Sequence, residues 1–278
     1  IGLGIPAEPL FRSRSIGNNI KNCTNMFKGL IWYNGRVTIG NNVEDCSYMF
    51  DGCRTFSQKI VIPDSVTNIK GIINNCPNFN ADIFVGGGIT DLSDFLANSI
   101  NFNSYINIGE NVISCNRMLK NCKNFSAPLI IPDNVKYATD ILNQCTYFDN
   151  YLKIGNGITS CSTILNDCTY FNSDVDIGFG VISLQNMFWN KVYFNGNVSI
   201  GRNVTSVQNM FTNCHSFNSY VNFGTYYDED NDEWYYPKIA NYAYMFFNCV
   251  SLTAFKEEYE GEIYDLPIMI PAEYGVVT

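Results

Sequence analysis

Hydrophobic positions along the chain return every 23 residues. An apolar residue directly before Gly or Pro recurs at Ile16, Ile39, Ile62, Val85, Ile108, Ile131, Ile154, Ile177, Ile200 and Phe223, with no insertion or deletion across nine intervals. Counted from that residue as position 0, further apolar side chains fall at position 4, from Ile20 and Val43 to Val204. Positions 10 and 11 carry pairs such as Met49-Phe50 and Met210-Phe211, position 17 is mostly Phe, and position 21 leads into the next repeat, as in Ile60-Val61-Ile62. Alternation over positions 21 to 23 predicts a short strand with two side chains inward and one outward. Gly or Pro at position 1 ends that strand and turns the chain. The Met-Phe run, with inward residues three or four apart, predicts one helical or 3₁₀ turn. About seven apolar positions per repeat are too few for a self-contained core, so neighbours must stack to bury one another. The expectation is an α/β repeat solenoid of about ten 23-residue coils, with one short parallel strand per coil.

The register breaks late in the chain. Between Phe223 and Met245 lie about 12 more residues than the repeat requires, placing an insertion at 225–237. A second insertion of about 12 residues follows Leu252 and precedes Leu266-Pro267-Ile268-Met269-Ile270-Pro271, where the strand phrase returns and predicts an eleventh, capping strand. Leu3-Gly4-Ile5-Pro6 imitates the phrase at the other end. The expected organisation is an arm or cap over 1–15, a solenoid over 16–252, and a cap or tail over 253–278.

These phrases carry a resemblance. Ile62-Pro63-Asp64-Ser65-Val66 and Ile131-Pro132-Asp133-Asn134-Val135 resemble the BspA-like leucine-rich repeat. Met49-Phe50-Asp51-Gly52-Cys53-Arg54-Thr55-Phe56 resembles the related MF-x-x-C-x-x-FN repeats of mycoplasma and Gram-positive surface proteins. The similarity covers about Ile16 to Leu252. It implies a leucine-rich-repeat solenoid used in adhesion and protein recognition, found on bacterial surfaces and in some phage proteins. The chain departs from that pattern in placing Phe or Met where many relatives carry Leu, and in showing no anchor or secretion signal.

Composition narrows the chemistry. Charged residues are 15% of the chain against roughly 25% in ordinary globular proteins, and aromatics are also 15%, which excludes an intrinsically disordered polymer. A net charge of −9 without a basic cluster argues against nucleic acid as a partner. No stretch of about 18 apolar residues encodes a membrane span. The single histidine, His215, falls at position 15, a variable surface position, and is read as inert. Val85-Gly86-Gly87-Gly88-Ile89 is a variant of the repeat's own turn, and no catalytic constellation emerges, so neither an enzyme nor a cofactor is expected.

All eleven cysteines fall in two columns, position 7 (Cys23, Cys46, Cys115, Cys161) and position 14 (Cys53, Cys76, Cys122, Cys145, Cys168, Cys214, Cys249). Position 7 is elsewhere Ile69, Leu92, Ala138, Leu184 or Val207, so these thiols are read as core packing. Position 18 carries Asn34, Asn80, Asn103, Asn172, Asn195 and Asn218, and predicts a ladder that satisfies backbone groups of the neighbouring coil. Tyr105, Tyr151 and Tyr220 share position 20 and are candidate contact residues. The insertion adds Tyr226, Tyr227, Trp234, Tyr235 and Tyr236. Asp228, Asp230 and Asp232 copy the first three ligand positions of a calcium loop, but Glu233 replaces the turn glycine and Ile239 the final glutamate, so no metal is assigned. The resulting expectation is a recognition or adhesion module for a protein or glycan receptor, extracellular or at the cell surface. The alternative is a virion component, a tail, baseplate or capsid-decorating chain among partner chains of an assembly.

Overall fold

The computed structural model describes residues 13–224, 226–228, 233–235, 239–253, 255–259 and 262–266, with side chains over 13–224 and 239–253. The expected cap at 3–6 lies outside the described residues, as does that at 266–271 except for Leu266. Two compact units are present, Ile1–Phe125 with Asp140–Cys145, and Ser126–Thr139 with Thr146–Thr278. Both are parallel β-solenoid, with about nine turns of some 23 residues in the chain.

In the first unit β1 (Arg14–Ser15) pairs with β2 (Val37–Thr38), and β3 (Ile60–Val61) with β4 (Ile83–Phe84). In the second, β5 (Leu129–Ile131), β6 (Leu152–Ile154), β7 (Val175–Ile177), β8 (Val198–Ser199) and β9 (Val221–Asn222) form a five-stranded sheet. Every pair is parallel and stepped by one repeat, as in Leu152↔Val175 and Ile154↔Ile177. Leu129, Ile131, Leu152 and Ile154 are buried while Ile130 and Lys153 face out, the alternation read from the sequence.

The insertion is an antiparallel hairpin of β10 (Tyr226–Asp228) and β11 (Glu233–Tyr235), with Asp228 opposite Glu233. The tail forms a second hairpin, β12 (Phe255–Tyr259) with β13 (Glu262–Leu266).

One expectation is corrected: no helix occurs among the described residues, so the helical half of an α/β solenoid is not there. The Met-Phe run is instead a chain of turns whose backbone donors alternate in direction. The amides of Asn186, Phe188 and Asn190 donate to Gln208, Met210 and Thr212 one coil on, while those of Met187, Trp189 and Lys191 donate three residues back, to Leu184, Asn186 and Phe188. A helix would direct every donor along its own axis. Here all sixteen non-glycine residues with left-handed φ among the described residues sit at position 9 or position 13, Asn186 and Asn190 among them. Such a residue every fourth position breaks any right-handed helix. Gly29 and Gly52, with φ of 74° and 76°, fill position 13 in the first two coils, where most later coils use Asn.

The core follows the columns. Position 17 stacks as parallel rings, Phe56–Phe79–Phe102–Phe125 at 5.9, 5.9 and 6.0 Å in the first unit and Phe148–Phe171–Phe194–Phe217 at 5.5, 5.6 and 5.8 Å in the second. Each stacked pair contributes roughly 0.5–1.5 kcal/mol beyond its burial.

Candidate recognition surface

The surface is only as rigid as the ladders beneath it. At position 18 the side-chain oxygen of each coil accepts the backbone N–H of the same position one coil on. Asn34 accepts from Ser57 at 2.9 Å, Ser57 from Asn80 at 3.1 Å, and Asn80 from Asn103 at 2.9 Å. In the second unit the series runs Ser126, Asp149, Asn172, Asn195, Asn218 and Thr253. The expected ladder is therefore built, and Ser and Asp serve as well as Asn because only an oxygen acceptor is required. Position 2 repeats the device, with Asp133 accepting from Asn156 and Asn156 from Phe179, both at 3.0 Å.

The thiols are buried and free, as the columns require. They also do something the hydrophobic pattern does not reveal. At position 14 Cys53, Cys76, Cys145 and Cys214 each donate to a backbone carbonyl 26 residues earlier, at 3.0–3.1 Å, and Ser99 makes the same bond at 2.7 Å. Ser99 at a core position was the available clue. Burial pushes the thiols of Cys46, Cys53, Cys115 and Cys249 up to about 12, so they remain protonated and poorly nucleophilic at neutral pH. Lys191 occupies the same column, 7% exposed, and burial lowers its pKa. His215 shares a 3.0 Å contact through Nε2 with the Asn248 amide.

The sequence-derived contact residues separate. Tyr105 is exposed, whereas Tyr151 and Tyr220 are half-buried. The Tyr151 hydroxyl donates to Asp176, and burial, then that carboxylate, raises its pKa to about 12. Tyr226, Tyr227, Trp234 and Tyr235 lie on the hairpin backbone, their side chains outside the described residues, as is Tyr236 altogether. Of the three aspartates, Asp228 is in β10, and Asp230 and Asp232 lie outside the described residues.

Position 16 holds a row that sequence reasoning passed over. Tyr147, Tyr170 and Tyr193 stack on one another in the second unit, with centroids 5.5 and 6.1 Å apart and planes within 2° and 17° of parallel. All three are about half exposed, as is Trp189 nearby in sequence at position 12. In the first unit the same column holds Asn78, Asn101 and Asn124, joined amide to amide at 3.4 and 2.9 Å. The signal was present as three tyrosines 23 apart, next to the core Phe, and was masked by Asn, Thr and Ser elsewhere in the column.

Residues 16–85, 44–154, 85–177 and 159–261 each match the family described as "Mycoplasma protein of unknown function, DUF285". The chain belongs to this family. It is the family to which the Met-Phe-x-x-Cys phrase pointed, and the resemblance to BspA-like leucine-rich repeats stands with it. Two solved structures also align. One is a leucine rich cell surface protein from Faecalibacterium prausnitzii A2-165, 14% identical over 80% of this chain and 81% of that one, with a TM-score of 0.39. The other is a leucine-rich repeat protein from Bacteroides ovatus ATCC 8483, 13% identical over 87% of this chain and 77% of that one, with a TM-score of 0.48. No curated protein matches the chain. No helix among the described residues is long and apolar enough to cross a membrane.

Proposed function

We propose that this family member is a non-enzymatic recognition module that binds protein or glycan through fixed outward positions of its coils, in attachment at a bacterial cell surface. One observation carries the reading: large aromatics such as Tyr105, Tyr147, Tyr170, Trp189 and Tyr193 are about half exposed on a backbone whose hydrogen bonds are spent between coils and within each turn. Burying such side chains on a ligand releases hydrophobic free energy, and a rigid scaffold loses little entropy in doing so. The protonated, buried thiols support a binding role over a nucleophilic one. Resemblance to surface repeats supports the location.

Tyr105, Tyr151 and Tyr220, and the hairpin residues Tyr226, Tyr227, Trp234, Tyr235 and Tyr236, remain part of this proposal. The test immobilises the full chain against a panel of host surface proteins and glycans. Tyr105→Ala and deletion of 226–236 are expected to weaken at least one captured partner tenfold or more. Capture of nothing, or recovery of the chain only as symmetric copies in a phage particle, would remove the adhesion reading.

A further inference from the structure

The Tyr147–Tyr170–Tyr193 row has a chemistry distinct from the rest of the surface. Its three rings spend their facing sides on one another, so they present edges and hydroxyls to solvent at intervals of 5.5 and 6.1 Å. No hydrogen bond among the described residues engages those three hydroxyls, which leaves each free to donate and accept. The row also has an open end. After Tyr193 the column continues as Ser216 and then Ser251, which carry no ring to stack on it, and Tyr193 is 56% exposed against 48% for Tyr170, which is stacked on both sides. That face offers an aromatic platform beside hydroxyl groups. Asn190 and Asn213 lie along the same coils, tied by a 2.6 Å amide bond, and Trp189 is 51% exposed.

The charge pattern selects the ligand. In a chain of net charge −9, the solvent-accessible residues at positions 12 and 15 of the three tyrosine coils are Asn143, Thr146, Asn166, Thr169, Trp189 and Val192, none of them charged, and Asp149 and Asp167 are the carboxylates in those turns, positions 12 to 18. Corresponding positions in the first unit carry Lys28, Arg54, Lys120 and Lys123. An anionic ligand finds no exposed cation in these three turns to offset its desolvation, and a cationic one finds two carboxylates, of which Asp149 already accepts from the Asn172 amide and the Ser173 hydroxyl. An uncharged polyhydroxylated chain fits: its axial C–H faces stack on tyrosine, and its hydroxyls pair with phenols, amides and threonines.

We propose that Tyr147, Tyr170 and Tyr193, with Trp189, form a binding row for a neutral glycan chain, one sugar ring stacking on the open face of Tyr193. This rests on the recognition reading above and narrows it to one partner class at one place. The full chain is titrated by calorimetry with hexasaccharides of β-1,4-glucan, β-1,3-glucan, α-mannan and galactan, and with heparin hexasaccharide as the anionic comparison. One neutral series is expected to bind. Tyr170→Ala and Tyr193→Ala should weaken it at least tenfold, Tyr193→Phe less than threefold because the ring is kept, and the exposed control Tyr137→Ala not at all. Circular dichroism of each variant reports its fold. Failure of all four neutral series, a preference for heparin, or undiminished binding by folded Tyr193→Ala overturns the proposal. If protein partners are still captured when the neutral glycans fail, recognition stands and only this assignment falls.

Discussion

A position-14 thiol does two jobs at once: it fills the core and its S–H caps a carbonyl of the preceding coil. Interchange with Leu30 in sequence showed only that the position tolerates a buried-type residue, since hydrophobic periodicity reports burial and is silent on hydrogen bonding. Burial of the thiols in both cysteine columns has a consequence for pH. The unfolded chain ionises its thiols near pH 8.5, whereas the folded chain holds Cys46, Cys53, Cys115 and Cys249 protonated to about pH 12. A raised folded pKa means stability is complete below pH 8.5 and is lost as pH climbs toward 12. The unfolding midpoint in urea should therefore fall steadily above pH 8.5. Cys53→Ser, which keeps the donor as Ser99 does, should cost about 1 kcal/mol or less at pH 7 and reduce the alkaline loss. An unchanged pH slope in that variant would show that the buried thiol contributes nothing to it. Tyr33 is the exception at this scale. It stands in the phenylalanine column, 3% exposed, and its hydroxyl is buried without a partner.

The element that misled was the Met-Phe turn. Apolar residues three or four apart describe a helical turn and this turn equally well, because both place those side chains on one side of the backbone. What separates them is the sign of φ at positions 9 and 13, and composition hints at it only where Asn or Gly stands there. Tyr48, Arg117, Gln144 and Tyr244 adopt left-handed φ of 54°, 54°, 64° and 55° without any such hint. The coil imposes that conformation through its inter-coil hydrogen bonds and offsets the local cost. Gln144 is exposed, so the cost can be isolated there. Gln144→Gly should stabilise the protein by about 0.5–1 kcal/mol, and Gln144→Val should destabilise it by about 1–2 kcal/mol, measured by urea denaturation. Equal effects of the two substitutions would mean that φ at this position carries no strain.

At the scale of the whole molecule, stability is a sum over coils and their contacts with neighbours. Register, not length, is what must be conserved. Removing Gly155–Ile177 deletes one whole period and joins Ile154 to Gly178, which preserves every column. That variant is expected to fold with a parallel-β circular dichroism signal and a Tm lowered by less than about 10 °C. Removing only 155–166 breaks the register at the join and should give an unfolded or aggregated product. The reverse result would show that the columns do not specify the stacking. The sequence by itself determined the period, the parallel strand, the core columns and the position-18 ladder. Each is a one-residue rule repeated in every coil, so each is visible as a column. Tertiary structure decided the sign of φ in the turn, the direction of each donor and the thiol-to-carbonyl bonds. It also decided which tyrosines face solvent: Tyr147, Tyr170 and Tyr193 as a stacked row, against Tyr151 held by Asp176. These depend on what the neighbouring coil places some 5 Å away, a relation between residues 23 or more apart that no single repeat contains.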